Sequence, residues 1–406
     1  MTTPSYQQAL GRKIAAERRR RGLSQAELAR ILRRSVAWVS QVERGVRKVD
    51  RMSVLETIAI ALEIPLVELA AEAPVVAAVS EEAPGASGLR LVLSGAYALR
   101  AMLDGRRPPA LSTLRRKSRE AWELTHAGRY TDLADLLGSL VPDLEIAARA
   151  LPEAQRGEGL ELMASAYQAC SAALAKVGEP EAAWIAADRA MAAAERAGNA
   201  MLVAAGAFRL VLVFLAARYY DQAEETARTA AEALQARAGE GDPQAMSLWG
   251  GLTLQRAIIA SRVNDPDAAY AQLDEAARMA ARLGEGRNDF NTEFGPANVA
   301  LHEIAVAVEL GDAGRALRTA ASVDTTGLSA ERQARMLIDV ARAHAQRRQV
   351  GEAVAVLREA EQITPEQVRG HELVRQLVSD LLTMQDPPSG ELRELAARVG
   401  AVRLSS

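Results

Sequence analysis

The sequence predicts an all-α chain, with a small basic head of short helices followed by a long array of helical hairpins. Three observations carry that prediction. The 406 residues exceed what one compact core usually holds. Hydrophobic residues make up 49% of the chain but aromatics only 4%, and alanine recurs throughout; small apolar side chains let helices approach closely, whereas a sheet favours β-branched and aromatic residues. Helix-starting and helix-stopping residues also recur at short intervals along the whole length. On this reading residues 1–70 form the head, 71–88 a linker, 89–111 a connecting helix and 112–406 the repeat body.

Charge divides the chain in the same way. Residues 1–51 hold 13 lysines and arginines against four acids, a net +9, while the remaining 355 residues carry 36 bases against 48 acids, a net −12. A basic head on an acidic body suits a protein whose head alone touches a polyanion. The single cysteine, Cys170, leaves no internal disulfide framework and fits a reducing cytoplasm, where it reads as a small buried apolar residue. The N-terminus MTTPSYQQALGRK has no apolar segment of the signal-peptide kind. The longest apolar run, Met201–Ala217, is interrupted by Arg209 and reads as a buried repeat helix, so no membrane partner is expected.

The head divides into helices by their caps. Leu10–Arg21 ends at Gly22, a residue suited to the position after a C-cap. Ser24 and Glu27 have capping-box spacing and open a second helix, Gln25–Leu32. Ser35 can cap a third helix that runs to Arg44 and stops at Gly45. Ser53 and Glu56 repeat the capping-box spacing before a fourth, and Pro65 sits in the first turn of a fifth. On the third helix Val39 and Val42 face inward toward Leu28, Ala29, Ile58 and Leu62, which leaves Val36, Ala37, Ser40, Gln41 and Arg44 on the opposite face.

The run from Arg18 to Leu69, through GLSQAELA, SVAWVSQVERG and SVLETIAIALEIPLVELA, resembles the Cro/XRE helix-turn-helix of phage repressors and many bacterial regulators. The resemblance covers the whole head and implies that the start of the third helix enters the major groove of DNA. Gln25 and Ser35 would then hold phosphates, aided by the N-terminal ends of the second and third helices. Val36, Ala37 and Gln41 fall at base-reading positions, flanked by Ser40 and Arg44; Gln41 can pair bidentately with adenine, and Val36 or Ala37 can meet a thymine methyl. The family often has polar residues at the first two positions, so this departure shifts weight to DNA shape. Arg47, Lys48 and Arg51 would follow the DNA backbone, with an arginine within reach of the minor groove. Arg18 and Glu43 stand where the family often ties the first helix to the third by an ion pair. Trp38 either packs within the head or against a neighbour, or touches DNA.

The body shows degenerate repeats anchored on polar turns at GRYTDLADLL from Gly128, GEPEAAWIAA from Gly178, RYYDQAEETA from Arg218, NDPDAAYAQL from Asn264, GDAGRALRTA from Gly311 and RQVGEAVAVL from Arg348. Each turn leads into a helix with Ala or Leu at close-packing positions and follows an apolar helix. The pattern resembles tetratricopeptide (TPR) repeats with lengthened helices over residues 112–384, a TPR-like α-solenoid, with a four-helix bundle as the structural alternative.

Head and body together resemble the XRE–TPR regulators of actinobacteria and, more distantly, the peptide-sensing Rgg/PlcR-like regulators. The resemblance implies a transcriptional regulator of double-stranded DNA whose body senses a peptide or small-molecule effector. A homodimer on a palindromic operator is expected, because one small head buries little DNA surface. In TEFGPANVALHEIAVAVELGD, Thr292–Asp312, Gly295 and Pro296 break the chain before a helix carrying Asn298 and His302 four apart. These two either line a ligand groove, where Asn can hold both polar groups of a peptide unit, or brace a structural corner. The four histidines, His126, His302, His344 and His371, lie far apart without Cys/His or HExxH companions, so no metal, no cofactor and no enzymatic activity is expected. The other class of function open to this sequence is a TPR scaffold that recruits a protein partner to DNA.

Overall fold

The computed structural model describes residues 6–47, 49, 52–62, 64, 83–103 and 106–401. Their regular secondary structure is helical throughout, as the composition predicted. The head contributes α1 (Tyr6–Arg20), α2 (Gln25–Ile31), α3 (Val36–Glu43) and α4 (Met52–Ala61). The Ser24 capping box forms as expected: the Glu27 N–H donates to Ser24 Oγ (3.1 Å) and the Ser24 N–H donates to Glu27 Oε2 (2.7 Å). Leu10, Ile14, Leu28, Ala29, Val39, Val42, Ile58 and Leu62 bury one another in a single core. The fourth helix differs from its expected start, since it begins at Met52 and therefore includes Ser53. The expected fifth helix at Pro65 and most of the linker fall outside the described residues.

The expected connecting helix is instead two short ones, α5 (Ala86–Val92) and α6 (Ala96–Leu103). Ser94 and Gly95 divide them, and the Ser94 hydroxyl accepts from the Ala96 N–H (3.3 Å). Ala86, Leu89 and Val92 are buried in the same core as the first body helices, so this segment belongs to the body.

The body then runs as α7 (Leu111–His126), α8 (Tyr130–Ala150), α9 (Glu153–Lys176), α10 (Pro180–Ala197), α11 (Ala200–Ala217), α12 (Tyr220–Gly239), α13 (Pro243–Val263) and α14 (Pro266–Leu283). It continues as α15 (Pro296–Leu310), α16 (Ala313–Ser322), α17 (Ala330–Gln346), α18 (Val350–Ile363), α19 (Pro365–Gly370), α20 (Glu372–Met384) and α21 (Gly390–Val399). All six turn anchors lie between the two helices of a hairpin. Gly128, Gly178, Arg218, Asn264, Gly311 and Arg348 have φ between 61° and 87°. In each case the next residue donates its N–H to the carbonyl five positions back, at 2.8 to 3.0 Å. This Schellman arrangement satisfies a helix-terminal carbonyl and reverses the chain.

Small residues set the helix spacing. The face of α10 that meets its neighbours is Ala183, Ala186, Ala187, Ala190, Ala193 and Ala194, all buried. Helix α11 is long and apolar enough by length and composition to cross a membrane, yet half of it is buried against neighbouring helices, with Arg209 buried too. The hairpins coil far enough for the first part of the body to meet the last. Helix α7 touches α17, Lys176 Nζ lies 2.8 Å from Glu331 Oε2, and the Thr131 N–H donates to Glu366 Oε2 (2.9 Å).

The segment between α14 and α15, residues 284–295, turns into the body. Its Phe294 ring lies directly on the α13 backbone at Gly250, where a Cβ would overlap the ring. Gly250→Ala should therefore lower stability by about 1–3 kcal/mol from overpacking, more than the ~1 kcal/mol gained in helix propensity. Thermal unfolding checks this, and Phe294→Leu in the same chain should recover part of the loss.

Candidate nucleic-acid interface and the body interior

The first turn of α3 is the exposed edge of the head. Ser35 caps it, its Oγ accepting from the Trp38 N–H (3.0 Å), and Ser35, Val36 and Ala37 are all open to solvent, Val36 at 47%. Ser40 and Gln41 are half-buried, and Arg44 is exposed with its Nε on the Ser40 carbonyl (3.1 Å). On the other side of the helix, the Arg18 guanidinium is buried against the Glu43 carboxylate, with Nη2 3.0 Å from Oε2. The pair locks α1 to α3, and the Arg18 pKa is raised by its hydrogen bond to Glu43. Gln25, expected on phosphate, donates its amide to the same carboxylate (2.7 Å).

Of the two readings open for Trp38, the structure has the packed one, and Arg47 departs from its expected place. Trp38 is buried, with the guanidinium groups of Arg34 and Arg47 at 4.9 and 6.0 Å from its ring. Arg47, expected on the DNA backbone, reaches the body: Nη2 donates to the Glu309 carbonyl (2.5 Å) at the end of α15. Lys48 and Arg51 lie outside the described residues.

Asn298 and His302 share one face of α15, as their spacing predicted, and both are buried. Asn298 donates its amide to the Thr292 carbonyl (3.2 Å), which fixes the corner before α15. His302 Nδ1 lies 2.8 Å from the Asn298 carbonyl, and its Nε2 lies 3.2 Å from the Gln255 amide. Both are enclosed, Asn298 by the loop before α15 and His302 by Gln255 of α13.

That loop sits on a cluster of buried charges contributed by several hairpins. Arg209, between the rings of Trp122 (4.7 Å) and Phe208 (4.9 Å), donates to the carbonyls of Phe290 (2.8 Å) and Asn291 (2.9 Å). Burial, helped by the nearby Arg332 charge, pushes its pKa down to about 9. Glu293 accepts from the Ser329 N–H (2.8 Å) and hydroxyl (3.0 Å) and pairs with His126 (3.3 Å) and Arg332 (3.4 Å). Burial works against its charge, but His126 and Arg332 hold its carboxyl well below the usual range. Glu331, paired with Lys176, is likewise held down to about 2 against its burial. Phe290, Asn291 and Glu293 all adopt the left-handed region, with φ of 51°, 56° and 51°. For residues bearing a Cβ this is strained backbone, of the kind found at ligand clamps and switches.

The sequence reading missed this cluster, since its members span the chain from His126 to Arg332. Its one visible signal was Arg209 inside an apolar run.

Residues 9–71 match the family model described as a helix-turn-helix domain, so the head is a DNA-binding helix-turn-helix. No curated protein matches the chain. Among solved structures it is similar to Bacillus thuringiensis PlcR in complex with the peptide PapR7 and DNA, at 15% identity over 68% of this chain and 95% of that one, with a TM-score of 0.29. It is also similar to a point mutant of PrgX, at 10% identity over 96% and 99%, with a TM-score of 0.25.

Burial sets the acid sensitivity of the interior. Desolvation, followed by nearby arginines, lowers His302 to about 4 and His371 to about 3, against 6.5 for a free histidine. The unfolded chain therefore takes up protons near pH 6.5 while the native one does not. The contribution of each group is complete above pH 6.5 and is lost as pH falls toward 4, at on the order of 1 kcal/mol per pH unit. Denaturant melts between pH 7 and pH 4 should follow this slope, and His302→Gln should flatten it.

Proposed function

We propose that this protein is a transcriptional regulator that binds a palindromic operator as a homodimer and whose body takes up a peptide or small-molecule effector. The observation that carries the reading is the solvent-open start of α3, Ser35-Val36-Ala37, on a head whose residues 1–51 carry a net +9 and whose helix-turn-helix is locked by Arg18 and Glu43. Ser35 retains its hydroxyl proton for a phosphate, and the α3 N-terminus adds backbone N–H groups. Val36 and Ala37 offer apolar surface to a thymine methyl, and Gln41 an amide to adenine. Arg44 is available to the backbone, and Arg47 joins it once released from the body.

Pairing of two chains is supported by the apolar residues that α5 and α6 leave in water, namely Leu91, Leu99, Met102 and Leu103. Effector uptake is supported by the strained 288–293 loop inside the body, whose carbonyls occupy the buried Arg209 and whose carboxylate occupies the half-buried Arg332. A ligand that replaces those contacts would relieve the strain and shift the packing of the hairpins around it, and with it the spacing of two paired heads. In this reading Asn298 and His302 brace the loop from behind.

Capture of genomic DNA by the purified protein tests the reading and supplies the operator. Removal of residues 1–70 should abolish binding to it, since the rest of the chain is acidic and repels phosphate. Equal retention of duplex without the head would overturn the assignment. Gln41→Ala should relax preference at one base pair by about 1–3 kcal/mol while leaving affinity for random DNA unchanged. In light scattering the protein should run as a dimer, and Met102→Glu with Leu103→Glu should yield monomers that bind one half-site weakly.

A further inference from the structure

The flank of the recognition helix, beside its solvent-open start, is joined to the turn edge of the body by specific contacts, and these have a regulatory consequence. Asn264, in the α13–α14 turn, donates its side-chain amide to the carbonyl of Leu32, the C-cap of α2. One hairpin further on, α15 ends with the Val308 and Glu309 carbonyls directed at Arg47, 3.5 and 2.5 Å from Nη2. Gly311 follows, left-handed at φ 87°, and a Cβ there would overlap the Arg47 guanidinium and lie 3.4 Å from Trp38 Cδ1. The absence of a side chain at Gly311 is what lets Trp38 and Arg47 approach the turn. Beneath the contact, Glu309 is held by Arg342 (3.1 Å) and Arg262 (3.6 Å), and Gln346 donates to the Val308 carbonyl (2.8 Å), so the docking surface is rigid.

What the body offers here is chemically close to what DNA offers. The carbonyls at a helix C-terminus carry partial negative charge and accept from a guanidinium as a phosphate would. Arg47 cannot occupy both. The side-chain oxygen of Gln41, needed for reading adenine, is also shut off from water in this arrangement.

We propose that the turn edge at Asn264 and Leu310–Gly311 is a docking surface for the recognition helix that competes with DNA, so that the head binds an operator only after it leaves the body. The inference rests on the head being the DNA reader. It accounts for an affinity reduced by the fraction of heads that are docked.

The test measures duplex binding by the full chain through fluorescence anisotropy, at one salt concentration, with operator and with random duplex as probes. Asn264→Gly keeps the left-handed turn but removes the amide donor. Gly311→Asn also tolerates the left-handed turn but places a side chain where Arg47 and Trp38 sit. Both should bind operator and random duplex about fivefold more tightly than the wild type. Unchanged or weaker binding by variants that melt like the wild type overturns the docking proposal while leaving the DNA reading intact. Failure of all three chains to bind any duplex overturns the DNA reading, and the docking proposal with it. Hydrogen exchange on the wild-type chain supplies a measurement that does not depend on the variants folding. Adding duplex should speed exchange across residues 308–315 while slowing it across 35–47, and unchanged exchange across 308–315 on a DNA-saturated chain overturns the proposal.

Discussion

Each body hairpin turns on one residue held in the left-handed region, and the rest of the molecule depends on that reversal. The residue frees the chain from the helix without leaving its terminal carbonyls unpaired, and it does so within two positions. Helices thus emerge side by side, and alanine-rich faces draw them together. Stacking the hairpins buries their inner helix faces in a succession of cores along the body. The head meets two of the hairpin turns, at Asn264 and Gly311, while the buried charges gather in the interior. Both regions follow from where the chain reverses.

The interior combines groups that would each be costly alone. Arg209 is desolvated and among the described residues pairs with no carboxylate directly; two backbone carbonyls and two aromatic faces receive it. The loop that presents those carbonyls is strained, and it persists because Glu293, Phe294 and the Asn298 amide pin it at three points. Strained backbone and an awkwardly buried charge hold each other in place.

How much of this could be read from the sequence follows the range of each interaction. The caps at Ser24 and Ser35, the inward pair Val39 and Val42, the Arg18–Glu43 pair and the six turns were legible, because each is set by residues a few positions apart or by a family pattern. The 89–111 segment reads as one connecting helix because its apolar period continues across Ser94 and Gly95; the structure divides it so that both halves pack on the body. Asn298 and His302 were correctly placed on one face, but what that face meets depends on where the preceding loop goes, which no local pattern encodes. The Arg47 contact joins residues more than two hundred and fifty positions apart and uses backbone carbonyls, which carry no signature in a sequence.

The contact of α7 with α17 changes what kind of object the body is. An open stack of repeats unfolds as a line of neighbours, and its ends can fray without disturbing the middle. Here His126 on the first hairpin is bound to Glu293, Lys176 to Glu331, and Thr131 to Glu366, so the line is bent back and fastened to itself. Fraying of the first hairpin removes partners from the loop before α15, from α17 and from α19 at once. Unfolding is thereby made collective, and a disturbance at the interior loop is felt by hairpins that are remote along the chain but adjacent across the ring.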